Sequence, residues 1–105
     1  MDKQDINVIN QFKELVSQKI NIIEIKAFGS RARGDNTLES DLDVFMVVES
    51  LNHELEKYIS DCAWEAGFPQ DIIVMPTTIT QSDLLNSPIR QSLFIKNIYK
   101  EGINF

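Results

Sequence analysis

Two aspartates one residue apart, Asp41 and Asp43, head an apolar run, DLDVFMVVE. If that run is a strand, alternate side chains share a face, and these two carboxylates stand on Cα atoms roughly 6–7 Å apart. At that separation they can grip one divalent cation, or share two ions about 3.5–4 Å apart. Two like charges at the mouth of a buried strand call for a cation or a cationic side chain. The plainer alternative is a strand that opens with solvated carboxylates.

Upstream, Gly29–Ser30 ends one apolar run and starts a polar one, GSRARGDNTLES. Glycine allows a backbone to approach a phosphate closely. The N–H groups of a helix start, with a serine hydroxyl beside them, form an anion site. The same pair also reads as an ordinary turn with a serine cap. Arg31 and Arg33 follow, alternating around Ala32. A guanidinium can bind a phosphate through two parallel hydrogen bonds. Either arginine could instead pair with Asp35 or Glu39 on a solvated turn. Asp71 opens a third apolar run, DIIVM, as Asp41 and Asp43 open the second. It is the candidate third carboxylate, able to hold a metal and accept a proton from an attacking hydroxyl. Its alternative is a strand-end cap.

Other chemistries lack their residues. The chain has one histidine, His53, and one cysteine, Cys62. A zinc site or a Cys–His nucleophile is therefore disfavoured. Cys62 lies among Ile59, Ala63 and Ala66 and reads as a buried thiol, which points to a cytoplasmic protein. Neither a Walker A loop nor a GxGxxG fingerprint is present. The net charge of −6, from 10 basic and 16 acidic residues, disfavours general nucleic-acid binding. It suits a metal-neutralised nucleoside triphosphate, or a basic protein partner. The polar N-terminus is unlike a signal peptide, and no apolar run reaches the roughly 20 residues of a membrane helix.

The elements that must position these residues follow from periodicity. The 105 residues suggest one domain, 1–105. Ile6, Ile9, Phe12 and Val16 recur at helical spacing across 5–18, with Asp2 or Asp5 near the start. INIIEIKAF alternates as a half-buried strand ending at Phe28. DLDVFMVVE reads as a strand buried on both faces. Leu55, Tyr58, Ile59, Cys62, Ala63 and Ala66 mark a helix over 52–66, closed by Gly67 at positive φ. DIIVM is a third strand, stopped by Pro76. Thr80 with Asp83 forms a capping box for a short helix. Ser87–Pro88 starts a last helix carrying Ile89, Leu93, Phe94 and Ile98. Trp64, Phe12, Phe45 and Phe94 read as core, whereas Ile95, Ile98 and Tyr99 could be core or interface. The fold class is α/β (α+β): a small mixed sheet of about three strands flanked by helices. Strands one and two pair antiparallel, and strands two and three parallel through a helical crossover. That order predicts convergence of Gly29–Ser30, Asp41/Asp43 and Asp71 at one sheet edge.

GSRARG followed by SDLDV resembles the signature of the polymerase-β-like nucleotidyltransferase superfamily. The chain looks most like its short bacterial and archaeal members, the minimal nucleotidyltransferases. The closing Glu101–Ile103 (EGI) is similar to the ending of those small proteins. The resemblance implies that Gly29 and Ser30, with Arg31 and Arg33, hold a nucleotide. It implies that Asp41, Asp43 and Asp71 bind one or two Mg²⁺ ions, with Asp71 also helping to deprotonate the acceptor. The reaction it implies is transfer of AMP from ATP to a hydroxyl, with pyrophosphate leaving.

Minimal members are often partnered with small helical HEPN-type proteins, as antitoxins that adenylylate a tyrosine of the toxin. A chain this short, with no acceptor domain of its own, fits that arrangement. Two alternatives stay open. One is a small-molecule nucleotidyltransferase, with a homodimer supplying the missing walls. The other is a non-catalytic binding module that neutralises its partner by contact.

Overall fold

The computed structural model describes residues 1–105. The first helix, α1, spans Lys3–Ser17 and is capped by Asp2, whose side chain accepts from the Gln4 N–H. Its buried stripe is Val8, Ile9, Phe12 and Val16, and Asp5 falls on the same stripe. Strand β1 (Ile22–Phe28) leads directly into the five-residue helix α2 (Gly29–Arg33). After a polar loop, β2 spans Leu42–Val48. Helix α3 (His53–Gly67) starts at Asn52, whose side chain accepts from the Leu55 N–H at 2.8 Å. A 3₁₀ turn at Phe68–Gln70 connects α3 to β3 (Val74–Thr80). Thr80 caps α4 (Gln81–Asn86) by accepting from the Asp83 N–H at 3.1 Å, as the capping-box spacing predicts. Helix α5 (Leu93–Glu101) and a two-residue strand β4 (Ile103–Asn104) close the chain.

The four strands form one mixed sheet in the order β3-β2-β1-β4. Strand β1 runs antiparallel to β2, with Phe28 opposite Asp43. Strand β2 runs parallel to β3, with Asp43 opposite Met75. Both pairings are those expected from connection length. The period of two sends Leu42, Val44, Met46 and Val48 to one face, where they join a 17-residue core with α1 and α3. Phe45 and Val47 point the other way and meet Ile79, Ile95 and Ile98 in a second, five-residue core. Strand β2 is thus buried on both faces, as its unbroken apolar run requires. The α5 stripe is partly resolved as core: Ile95 and Ile98 are buried, while Tyr99 is at the surface. No helix is long and apolar enough to cross a membrane.

Several sequence expectations are corrected. Pro76 does not stop the third strand but lies within it, opposite Val44. Strand β3 is at the sheet edge, where a missing donor can be turned outward. Gly67 is not left-handed: its φ is −89°. Glycine is needed there because a Cβ would run into the backbone carbonyl of Ile72. Trp64 and Phe94 are exposed rather than core. Trp64 sits off the buried stripe of α3, is 65% exposed and stacks on Phe68, with ring centroids 4.9 Å apart. The expected single last helix is broken, since Ser87 and Ser92 cap separate segments, a 3₁₀ turn at Pro88–Gln91 and then α5.

Strand β4 escapes a periodicity reading because it is only two residues long. It is held by polar anchors: Lys26 Nζ donates to Asn104 Oδ1 at 2.5 Å, and Lys13 Nζ donates to the Phe105 carbonyl at 2.8 Å. Lys26 is itself buried, beside Glu24 at 3.5 Å and under the Tyr99 ring. The Tyr99 hydroxyl donates to Glu24 at 2.7 Å; burial and that carboxylate push its pKa up to about 12.

Gly67→Ala should destabilise the domain by about 1–3 kcal/mol, the usual range for an inserted group in a packed site. A lower urea midpoint with an unchanged slope would show it; an unchanged midpoint would mean the Gly67–Ile72 approach is not tight.

Candidate active site

The site is built where β1 ends and β2 begins. Gly29, at φ +76°, turns the chain from β1 into α2. Helix α2 closes at Gly34, at φ +87°, whose N–H donates to the Ser30 carbonyl at 2.9 Å. Ser30 is not the cap of this helix; the cap position falls to Phe28, which makes no side-chain capping bond. Ser30 is instead half-buried in the first turn, beside the glycine.

Phe28 pairs across the sheet with Asp43, so the Gly29 backbone lies against the Asp43 side chain. A Cβ at position 29 would collide with Asp43 Oδ2. Glycine is therefore required at this point twice, by its positive φ and by the carboxylate beside it. Asp41 is exposed just before β2, and Asp43 is half-buried as its second residue. Burial pushes the Asp43 carboxyl above the usual carboxylate range; Asp41 adds to the rise and Arg33 opposes it. The ion pairs of the chain are Lys26–Glu24, Arg31–Asp5, Arg33–Asp35 and His53–Glu56. Neither Asp41 nor Asp43 belongs to one. Two adjacent carboxylates with no cationic side chain bound to either match the donor set a divalent cation takes.

The two arginines part ways. Arg33 is exposed, and its Nε donates to Asp35 Oδ2 at 3.2 Å, one of the partners foreseen for it. Arg31, expected at the nucleotide or on a solvated turn, is only 7% exposed. Its guanidinium meets Asp5 Oδ1 at 2.9 Å and the carbonyls of Ser40 and Leu38 at 2.8 and 3.3 Å. Its guanidinium is thus occupied by protein acceptors, whereas the sequence placed it at a nucleotide.

Asp71 is set differently from the expectation. It follows the 3₁₀ turn in the left-handed region, at φ 57°, and is exposed. Strand β3 starts only at Val74, because residues 71–73 reverse the chain into it. Aspartate tolerates that conformation better than most side chains. Beside the carboxylate pair, β3 places Met75 opposite Asp43, and the Ile73 carbonyl accepts from the Leu42 N–H at 2.8 Å. No group of three acidic, histidine or cysteine side chains is close enough to hold one ion together. The expected edge thus gathers Gly29–Ser30 with Asp41 and Asp43, and leaves Asp71 outside the cluster.

Asp5 is the residue that the motif reading missed. Its signal was its place on the apolar stripe of α1, at helical spacing from Val8, Ile9 and Phe12. A carboxylate there must find a buried partner.

A strand, a glycine-serine turn and a DxD pair on a mixed sheet are the parts of one enzyme class. Residues 9–104 match the family model described as "Nucleotidyltransferase domain", and the chain belongs to that family. The fold is the polymerase-β-like nucleotidyltransferase fold, a four-stranded mixed sheet flanked by five helices. One similar solved structure is that of a toxin-antitoxin with AMP-PNP, with TM-score 0.59 and 16% identity, over 95% of this chain and 70% of that one. Another is a Sulfolobus solfataricus chain assigned as a nucleotidyltransferase, with TM-score 0.51 and 23% identity, over 100% of this chain and 88% of that one. No curated protein sequence matches this chain.

The raised Asp43 carboxyl has two consequences. Its proton is held more tightly in the folded than in the unfolded chain, so metal-free protein gains stability as pH falls through the folded pKa. Asp43→Asn should therefore melt higher than the parent at pH 7 without metal. The same substitution should weaken Mn²⁺ binding by at least about tenfold, through loss of one charged ligand. Thermal melts with and without Mn²⁺ check both; a lower melting temperature in metal-free protein would contradict the assigned cost of burying this carboxylate beside Asp41.

Proposed function

We propose that this chain transfers AMP from ATP to a hydroxyl of a partner protein. The observation that carries the reading is the Asp41/Asp43 pair, free of cationic side chains, against the Gly29 backbone. Asp41 and Asp43 would hold Mg²⁺, which would supply charge neutralisation on the triphosphate. Gly29 admits the phosphates close to the main chain, and Ser30 offers a hydroxyl and an N–H in the first turn of α2. Arg33, exposed and within electrostatic reach of Asp43, can exchange Asp35 for a phosphate oxygen. The acceptor oxygen attacks the α-phosphorus, the bond to the bridging oxygen breaks, and pyrophosphate leaves. The proton of the acceptor goes to a carboxylate. Asp71 lies outside the carboxylate cluster, so its expected part in taking that proton is not retained and the task falls to the Asp41/Asp43 pair.

A protein acceptor is favoured by the surface beside the pair. Ile73, just before the edge strand, and Met75 within it are 60% and 48% exposed, and Trp64 of α3, stacked on Phe68 of the following turn, stands close by. Exposed aromatic and apolar side chains grouped this way suit a protein partner better than a small polar acceptor. The partner proposed is a small helical HEPN-type toxin, with a tyrosine as acceptor and this chain as its antitoxin. The structurally similar toxin-antitoxin with AMP-PNP supports the coarser part of this reading, a nucleotide and a protein partner.

The test mixes the protein, its partner, Mg²⁺ and ATP labelled at the α-phosphate. Label should appear on the partner and pyrophosphate in solution. Asp41→Asn and Asp43→Asn should each lower the rate by about 10³-fold or more, with the circular dichroism unchanged. Label transfer that persists in both variants would refute the assigned pair. Pyrophosphate release with small hydroxylated acceptors, but none with the partner, would refute the protein acceptor.

A further inference from the structure

We propose that Asp5 and Arg31 form a buried positioning pair that sets the metal-binding carboxylates; the proposal rests on the nucleotidyltransferase reading above. Arg31 lies one residue after Ser30, inside α2, and its side chain reaches three acceptors on two other segments, α1 and the loop before β2. Nη1 donates to Asp5 Oδ1 on α1 at 2.9 Å. Nε donates to the Ser40 carbonyl at 2.8 Å, and Nη2 to the Leu38 carbonyl at 3.3 Å. Ser40 is the residue before Asp41. One planar guanidinium thus fastens the phosphate turn to the loop that delivers the first carboxylate, with α1 as the anchor.

The geometry is not the one that would maximise the ion pair. An arginine and a carboxylate bind best through two parallel hydrogen bonds. Here Asp5 Oδ2 is buried without any partner, while Nε and Nη2 are given to backbone carbonyls. Both side chains are almost wholly shielded, at 7% and 1% exposure. A buried pair made only for stability is readily replaced by apolar side chains. This one holds two carbonyls that apolar side chains cannot hold. The loop it grips, residues 34–41, has no helix or strand of its own; its other side-chain contacts are Arg33 with Asp35 at its start and short-range ones among Asn36, Thr37, Glu39 and Ser40. Backbone bonds tie its two ends, Asp35 N–H to the Ser30 carbonyl and Leu42 N–H to the Ile73 carbonyl; between them, at residues 36–40, Arg31 is the one hydrogen-bond partner from outside the loop.

Three variants separate positioning from stability. Asp5→Asn keeps an acceptor oxygen and removes the charge. Arg31→Lys keeps the charge and removes the planar fork. The double variant Asp5→Leu with Arg31→Met replaces the pair by apolar groups that fill the same space and spare the chain an unpaired buried charge. Each is titrated with Mn²⁺, read by electron paramagnetic resonance, well below its own melting temperature. Amide hydrogen exchange is followed at residues 38–43. We expect the double variant to be folded, yet to bind Mn²⁺ at least tenfold more weakly than the parent. We also expect faster exchange at residues 38–43 and unchanged exchange in α3. Arg31→Lys should fall between the two. Parent-like Mn²⁺ affinity and exchange in the folded double variant would overturn the proposal. If the parent itself binds no Mn²⁺, the functional reading fails instead, and the exchange rates still decide whether the pair holds the loop.

Discussion

Everything in this domain is arranged around a strand that has no free face. Strand β2 has hydrogen-bonded neighbours on both sides and a hydrophobic core above and below it. Inside it no charge can be tolerated, since a buried carboxylate without a partner costs several kcal/mol. Charge can appear only at its mouth, where Asp41 is exposed and Asp43 half-buried. The position of the site follows from that constraint. It lies at the one end of the central strand where the sheet opens, next to the turn that starts α2.

The same constraint explains the electrostatics. Partial burial raises the Asp43 carboxyl, and Asp41 beside it raises it further. The basic side chain that could have relieved this, Arg31, is committed elsewhere, to Asp5 and to two carbonyls. The nearer cation, Arg33, stays at the surface with Asp35. The carboxylate pair therefore remains unneutralised by any ion pair of the chain.

Legibility differed from element to element, for physical reasons. The strands and helices that bury long stripes were plain from their periods, β2 and α3 most of all. The capping residues Asn52, Thr80 and Ser87 mark the helix and turn starts because their side chains bond backbone N–H groups two or three residues on. Pro76 was misread as a strand stop, since its meaning depends on whether the strand is at an edge. Gly67 was misread because it is required by a neighbour five residues away rather than by its own φ. Of the site, Gly29 beside Asp43 was foreseeable from the antiparallel pairing of β1 and β2. The distance of Asp71 from the pair was not, because an apolar run does not show where its first hydrogen bond falls.

The amino-acid pattern alone determined the order of the three long strands, the both-sided burial of β2, the location of the DxD pair at its head and the resemblance to nucleotidyltransferases. These depend on local periodicity, connection length and short motifs, all of which are carried along the chain. Only the tertiary structure decided that Arg31 is buried, with its guanidinium bonded to Asp5 and to the carbonyls of Ser40 and Leu38. It also decided that Asp5 is its counter-ion, that Asp71 stands apart, and that Trp64 and Phe68 are on the surface. Each of these turns on which distant segment packs against a residue: α1 against α2 for the ion pair, α3 against β3 for the rest. A partner 26 positions away, as Asp5 is from Arg31, leaves no periodic trace. Its choice is made by the packing of the core.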